Sequence, residues 1–128
     1  QGYSSAASDV YKRQIKGLVD VGLIEGVVSA CSLKDVYYIL TKQAGEARAR
    51  EVVRDCLKSY SVEPLDQEAC FTSAYSDEPD FEDGCIRAMA ERAGVDFIIT
   101  RDRAAFVRST IKTFSPAEFI RAFPIPEE

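Results

Sequence analysis

An α/β fold with a mainly parallel sheet is what the sequence predicts. From residue 15 onward, short apolar runs alternate with longer stretches whose apolar residues recur at helical spacing. One of the short runs, "VDFIIT" at 95–100, is almost continuously apolar, as a strand buried on both faces of a parallel sheet must be. The length of 128 residues, 46% of them apolar and 29% charged, suits one domain with a substantial hydrophobic core.

Residues 1–14, "QGYSSAASDVYKRQ", stand apart. They are polar, rich in Ser and Ala, and show no clear helical or strand period, so they read as a non-native or disordered leader to a domain over 15–128. The segment "SSAASDVYKRQ" also resembles adapter-like sequence joined to a truncated reading frame. "IKGLVDVGLIEG" then reads as the end of a helix with a turn at Gly22 or Gly26, and "GVVSA" as a strand near 26–29. In "SLKDVYYILTKQAG", Ser32 suits an N-cap, Asp35 its capping-box partner and Gly45 a terminator.

"EARAREVVRDCLKSY" follows as an amphipathic helix with Ala49, Val52, Val53, Cys56 and Leu57 inward. A strand is expected near 60–64, a short helix in "QEACFTSAY", and a helix from about Asp80 to Arg92 stopped by Gly94. After the strand at 95–100 and the loop "RDRAAF" comes "TIKTF", a strand near 110–114. "SPAEFIRAF" closes with a Ser-Pro-x-Glu capping box and a last helix.

Composition excludes several chemistries. The chain has no histidine, so His-based triads and general bases are ruled out. Its cysteines, Cys31, Cys56, Cys70 and Cys85, form no C-x-x-C pair, which argues against zinc and for free thiols in a reducing cytoplasm. Any resident metal would be a hard cation held by oxygen, Mg2+ or Mn2+. No apolar run reaches the roughly 18 residues of a membrane span. A net charge of −5 argues against nonspecific coating of nucleic acid.

One stretch poses a chemical question. "SDEPDFEDG" crowds Asp77, Glu78, Asp80, Glu82 and Asp83 into seven positions at the start of a helix. Acids there complement the helix dipole and cap free N–H groups, which gives Asp77, Glu78 and Glu82 a role as solvated charges. A cation site is the other reading. In open parallel sheets the functional crevice lies beyond the carboxyl ends of the strands. Asp35 follows the strand at 26–29, Asp102 follows the strand at 95–100, and Asp83 opens the helix feeding that strand. Three such carboxylates repel unless a divalent cation neutralises them, and metal-activated water attacking a phosphodiester is the matching chemistry. Each acid also has a structural reading, as a capping-box residue at Asp35 and Asp83 or a turn residue at Asp102.

"VSACSLKDVYYILTK", then "PDFEDGCIRAMAERAGVDFIITRDRAAF", then "SPAEFI", in that order, resembles the PIN domain family of metal-dependent ribonucleases, and within it the bacterial branch of VapC-like toxins. The resemblance implies a PIN-like three-layer α/β/α sandwich. It implies acids around one or two Mg2+ or Mn2+ ions, with Asp35, Asp83 and Asp102 at the acidic positions. Asp80 would support them or cap the helix, and Thr100 would orient a carboxylate or a water. Arg101 and Arg103 would hold RNA phosphates or balance charge. Tyr37–Tyr38 would stack a base or pack in a core or dimer.

An RNA substrate, an antitoxin protein and a homodimer are the implied partners. The family's first, central strand with its Asp has no counterpart here, so a truncated and inactive chain is expected beside the active one. The alternative is a non-catalytic PIN-like protein-interaction module. A phosphoacceptor receiver domain is disfavoured, since no early acidic strand exists and Lys112 lies inside "TIKTF".

Overall fold

The computed structural model describes residues 6–124, and its strands are all parallel. The element order is α1 (Ala6–Asp20), β1 (Gly26–Ser29), α2 (Ala30–Ala44), α3 (Glu46–Ser59), β2 (Tyr60–Glu63), α4 (Gln67–Ala74), α5 (Phe81–Ala93), β3 (Phe97–Ile99), a 3-10 turn (Arg103–Phe106), β4 (Lys112–Phe114) and α6 (Pro116–Ala122). The α/β class read from the sequence is the class observed. The strands stand in two pairs, β1 with β2 and β3 with β4. Among the described residues ahead of β1 there is helix and turn but no strand.

The polar stretch in which no period is legible is helical from Ala6, and the boundary expected after residue 14 falls inside α1. Residues 1–5 lie outside the described residues. The turn expected at Gly22 is present, with φ of 80°, a backbone conformation that costs glycine nothing.

The chain divides into two units. The first comprises Gly26–Val95. Within it, β1 and β2 run in register from Gly26 opposite Tyr60 to Ser29 opposite Glu63. Its core is Cys31, Ala69, Cys85 and Met89, with Cys70, Ile86 and Ala88 packed around them. Ala49 is fully buried, as its helical position predicts, but Leu57 is exposed. All four cysteines are free thiols. Burial pushes the thiols of Cys31 and Cys85 up, away from the reactive thiolate form.

Two contacts fix α5. At its start, the Ser73 hydroxyl of α4 donates to the carbonyl of Phe81 at 2.7 Å, and Gly84 lies against the same serine. A Cβ on Gly84 would fall 2.1 Å from Ser73 Oγ and 3.0 Å from its Cβ, so only glycine allows the helices this close. At the other end, Arg92 reaches back to the β2–α4 loop. It donates to Glu63 at 3.0 Å, to both oxygens of Asp66 at 2.7 and 2.8 Å and to the carbonyl of Pro64 at 2.9 Å. Asp66 also caps α4 by accepting from the Ala69 N–H, which together with Arg92 holds its carboxyl below the usual range.

The second unit comprises the segments up to Glu25 and from Asp96. Here α1 packs against α6, and β3 pairs with β4 from Phe97 opposite Lys112 to Ile99 opposite Phe114. Phe97, Phe114, Phe119 and Phe123 form one aromatic cluster with ring centroids 5.1–6.2 Å apart. The capping box read in "SPAE" is present. Ser115 Oγ accepts from the Glu118 N–H at 3.1 Å, and Glu118 accepts from the Ser115 N–H at 2.8 Å.

The Gly84 contact generates a test. Gly84→Val is expected to lower unfolding stability by about 1–3 kcal/mol, the range for overpacking. Gly84→Ala should lose less, because alanine returns about 1 kcal/mol of helix propensity. Urea unfolding of the two variants measures this. Unchanged stability in Gly84→Val would contradict the close approach.

Candidate metal and nucleic-acid site

The first helix to consider is α2, whose cap decides what Asp35 is free to do. The sequence suggests Ser32 as N-cap with Asp35 as its box partner, and the structure corrects this. Ser29 is the N-cap, accepting from the Ser32 N–H at 3.0 Å and donating to the Ser32 hydroxyl at 2.9 Å. The reason is that β1 runs directly into α2, so the last strand residue takes the cap. Asp35 therefore sits in the second turn with its carboxylate outside the cap. It pairs with Lys34 at 3.4 Å and meets Glu82 from the start of α5.

The meeting of Asp35 and Glu82 is the chemical feature of this unit. Removal from water pushes the Glu82 carboxyl up, and the Asp35 charge and a hydrogen bond with Asp35 push it further, with Asp80 adding and Lys34 opposing. Two carboxylates this close repel, and a proton or a cation between them relieves the repulsion. Glu82 was expected to be a solvated charge, and it is exposed, though its carboxyl also meets Asp35. Glu78 was expected to be one as well, and it is not. The Glu78 side chain is 3% exposed and accepts from Arg87 at 3.2 Å. No local signal reveals either role, because both partners come from distant positions.

Asp80 and Asp83 share the first turn of α5. Asp80 is the N-cap, its Oδ1 accepting from the Asp83 N–H at 2.9 Å, which settles its place as a cap. Asp83 is half-buried in the first turn.

In the other unit, Thr100 and Asp102 lie just past β3. The Thr100 hydroxyl accepts from the Asp102 N–H at 3.1 Å, so it fixes the backbone of the acid. Asp102 caps the 3-10 turn, its Oδ1 accepting from the Ala105 N–H at 3.3 Å. Arg101 is exposed. Arg103 forms an ion pair with Glu118 of α6. That pair, with the capping hydrogen bonds, pulls the Glu118 carboxyl down to about 2.

On α2, Tyr37 donates to Glu46 at 2.5 Å, and its ring meets Tyr38 edge-on with centroids 5.2 Å apart. Tyr37 is thereby tied to the start of α3, while Tyr38 stays exposed.

The structure brings together Asp35 with Glu82, and Asp80 with Asp83. Within each unit, among the described residues, no three carboxylates or thiols gather into a metal-holding cluster. Among the described residues, no helix is long and apolar enough to cross a membrane. A family model described as a PIN domain matches residues 5–104. No curated protein and no solved structure matches the chain.

The depressed Glu118 carboxyl carries a pH prediction. Its folded value lies below the ordinary 4.5, so its stabilising contribution is present above that pH and is lost as pH falls toward about 2. Glu118→Gln keeps a side chain able to close the capping box but removes the charge. The thermal midpoint of the variant should lie below that of the parent at pH 6, and the difference should close on acidification. A constant difference down to pH 2 would contradict the assignment.

Proposed function

The chain belongs to the PIN domain family, and on that premise we propose that it is a Mg2+- or Mn2+-dependent endoribonuclease of the VapC-like toxin branch. PIN domains are in general nucleases, and the family generally uses divalent metal ions. The observation that supports the metal reading is the contact between Asp35 and Glu82. Their donors are all oxygen, the chemistry a hard divalent cation takes, and a cation there would relieve the repulsion between the two carboxylates.

In this reading Asp35, Asp83 and Asp102 hold the ion, with Glu82 acting beside Asp35. When bound, the ion makes water a nucleophile at neutral pH and offsets charge on the phosphate. The protein's own residues orient and hold. Asp80 pins the backbone of Asp83 in the first turn of α5, and Thr100 pins that of Asp102. Arg101 and Arg103 hold RNA phosphates, and Arg103 must exchange Glu118 for a phosphate to do so. An antitoxin protein and a second copy of the chain are the partners in this reading, and the cytoplasm its compartment.

RNA cleavage by the full chain in Mn2+ tests the proposal. Asp83→Asn should reduce the rate by at least about a hundredfold, with far-UV circular dichroism unchanged. Full activity in Asp83→Asn would overturn the role of Asp83. A parent chain that binds no Mn2+ and cleaves no RNA would favour the non-catalytic interaction module.

A further inference from the structure

Helix α4 is built inside out. Its buried residues are Ala69 and Ser73, while Phe71 and the C-cap residue Tyr75 are 61% and 79% exposed. An amphipathic helix normally turns its aromatics inward. Here the close approach of α5 at Gly84 admits only small side chains on the inner face, so the aromatics point away. They stack on each other with centroids 4.6 Å apart. Leu65, just before the helix, is also exposed. Phe71 lines an open hollow together with Gln67 and Glu68.

The segment that carries this apolar face is predominantly acidic. Between Lys58 and Arg87 the chain carries eight carboxylates and no lysine or arginine. Arg92 and Arg87 answer Glu63, Asp66 and Glu78 from α5. Glu68 remains 73% exposed at the rim, touched only at 3.8 Å by Arg92.

We propose that the outward face of α4, built on Phe71 and Tyr75 with Glu68 at its rim, docks a basic amphipathic segment of a partner protein. The aromatic pair supplies a contact of the kind that dominates interfaces, and the acidic rim selects lysine and arginine beside the partner's apolar residues. Exposed aromatics can also stack nucleic-acid bases, but the acidic balance of this segment disfavours phosphates. A second copy would bring the same acidic segment against this one. This inference does not rest on the nuclease reading.

The probe is a helical peptide of Leu, Lys and Arg carrying one Trp. The protein has no Trp, so the emission belongs to the peptide alone. The full chain should bind it, and Phe71→Ala/Tyr75→Ala should weaken binding about tenfold or more with every charge kept. Both side chains are exposed, so circular dichroism of this variant should match the parent. Leu57→Ala, which removes an exposed apolar group from α3, should bind like the parent.

Equal binding by parent and double variant would overturn the proposal, showing attraction by net charge alone. So would equal loss in Leu57→Ala, equal binding of a peptide with Glu in place of Lys and Arg, or preference for an RNA oligonucleotide at this face. A parent dimer that sedimentation shows to dissociate in the double variant would assign the face to a second copy instead.

Discussion

The contact between Ser73 and the first turn of α5 sets the arrangement of everything around it in residues 26–95. Because Gly84 has no side chain, α5 comes close enough for the Ser73 hydroxyl to reach the Phe81 carbonyl. That approach buries Cys85 and Met89 against Ala69 and Cys31. It also fixes where the first turn of α5 begins, and so where Glu82 and Asp83 are presented. The same constraint leaves no room for aromatics on the inner side of α4, which is why Phe71 and Tyr75 face outward. Arg92 secures the far end of the helix to the loop that opens α4. A core of small residues is thus tied together by polar contacts at both ends of one helix.

Caps decide which acids are available for chemistry. Asp66, Asp80 and Asp102 each accept from a backbone N–H at a helix or turn start, so part of each carboxylate is committed to local structure. Asp35 is different, because Ser29 has taken the cap of α2. Its carboxylate meets Glu82, whose carboxyl is raised by desolvation and then by the Asp35 charge. Arg103 is committed as well, to the carboxylate that closes the capping box of α6.

Legibility in the sequence followed the range of the interactions. The alternation of apolar runs gave all four described strands to within a few residues, and "SPAE" announced its capping box, because these depend on neighbours in the chain. Helix α1 was hidden, since "SSAASDVYKRQ" offers no apolar period for a core to select. Ser32 looked like the cap because nothing local shows that β1 enters α2 without a loop. Glu78 looked solvated because Arg87 becomes its neighbour only through tertiary packing, and the meeting of Glu82 with Asp35 was hidden for the same reason. Asp80 as cap was legible, since its bond to Asp83 spans three residues. Asp35, Asp83 and Asp102 were singled out by their places at strand ends and a helix start and then by resemblance, and only the contact between Asp35 and Glu82 adds a physical reason for a cation near one of them.

The most direct test of a cation between α2 and α5 is paramagnetic line broadening of backbone amides on adding Mn2+ at low stoichiometry. A hard cation held by Asp35 and Glu82 broadens the amides of residues 34–36 and 81–84 first, and Glu82→Gln together with Asp35→Asn removes that broadening. Broadening spread over exposed acids elsewhere, such as Glu51 and Glu68, with residues 34–36 and 81–84 left sharp, would contradict it.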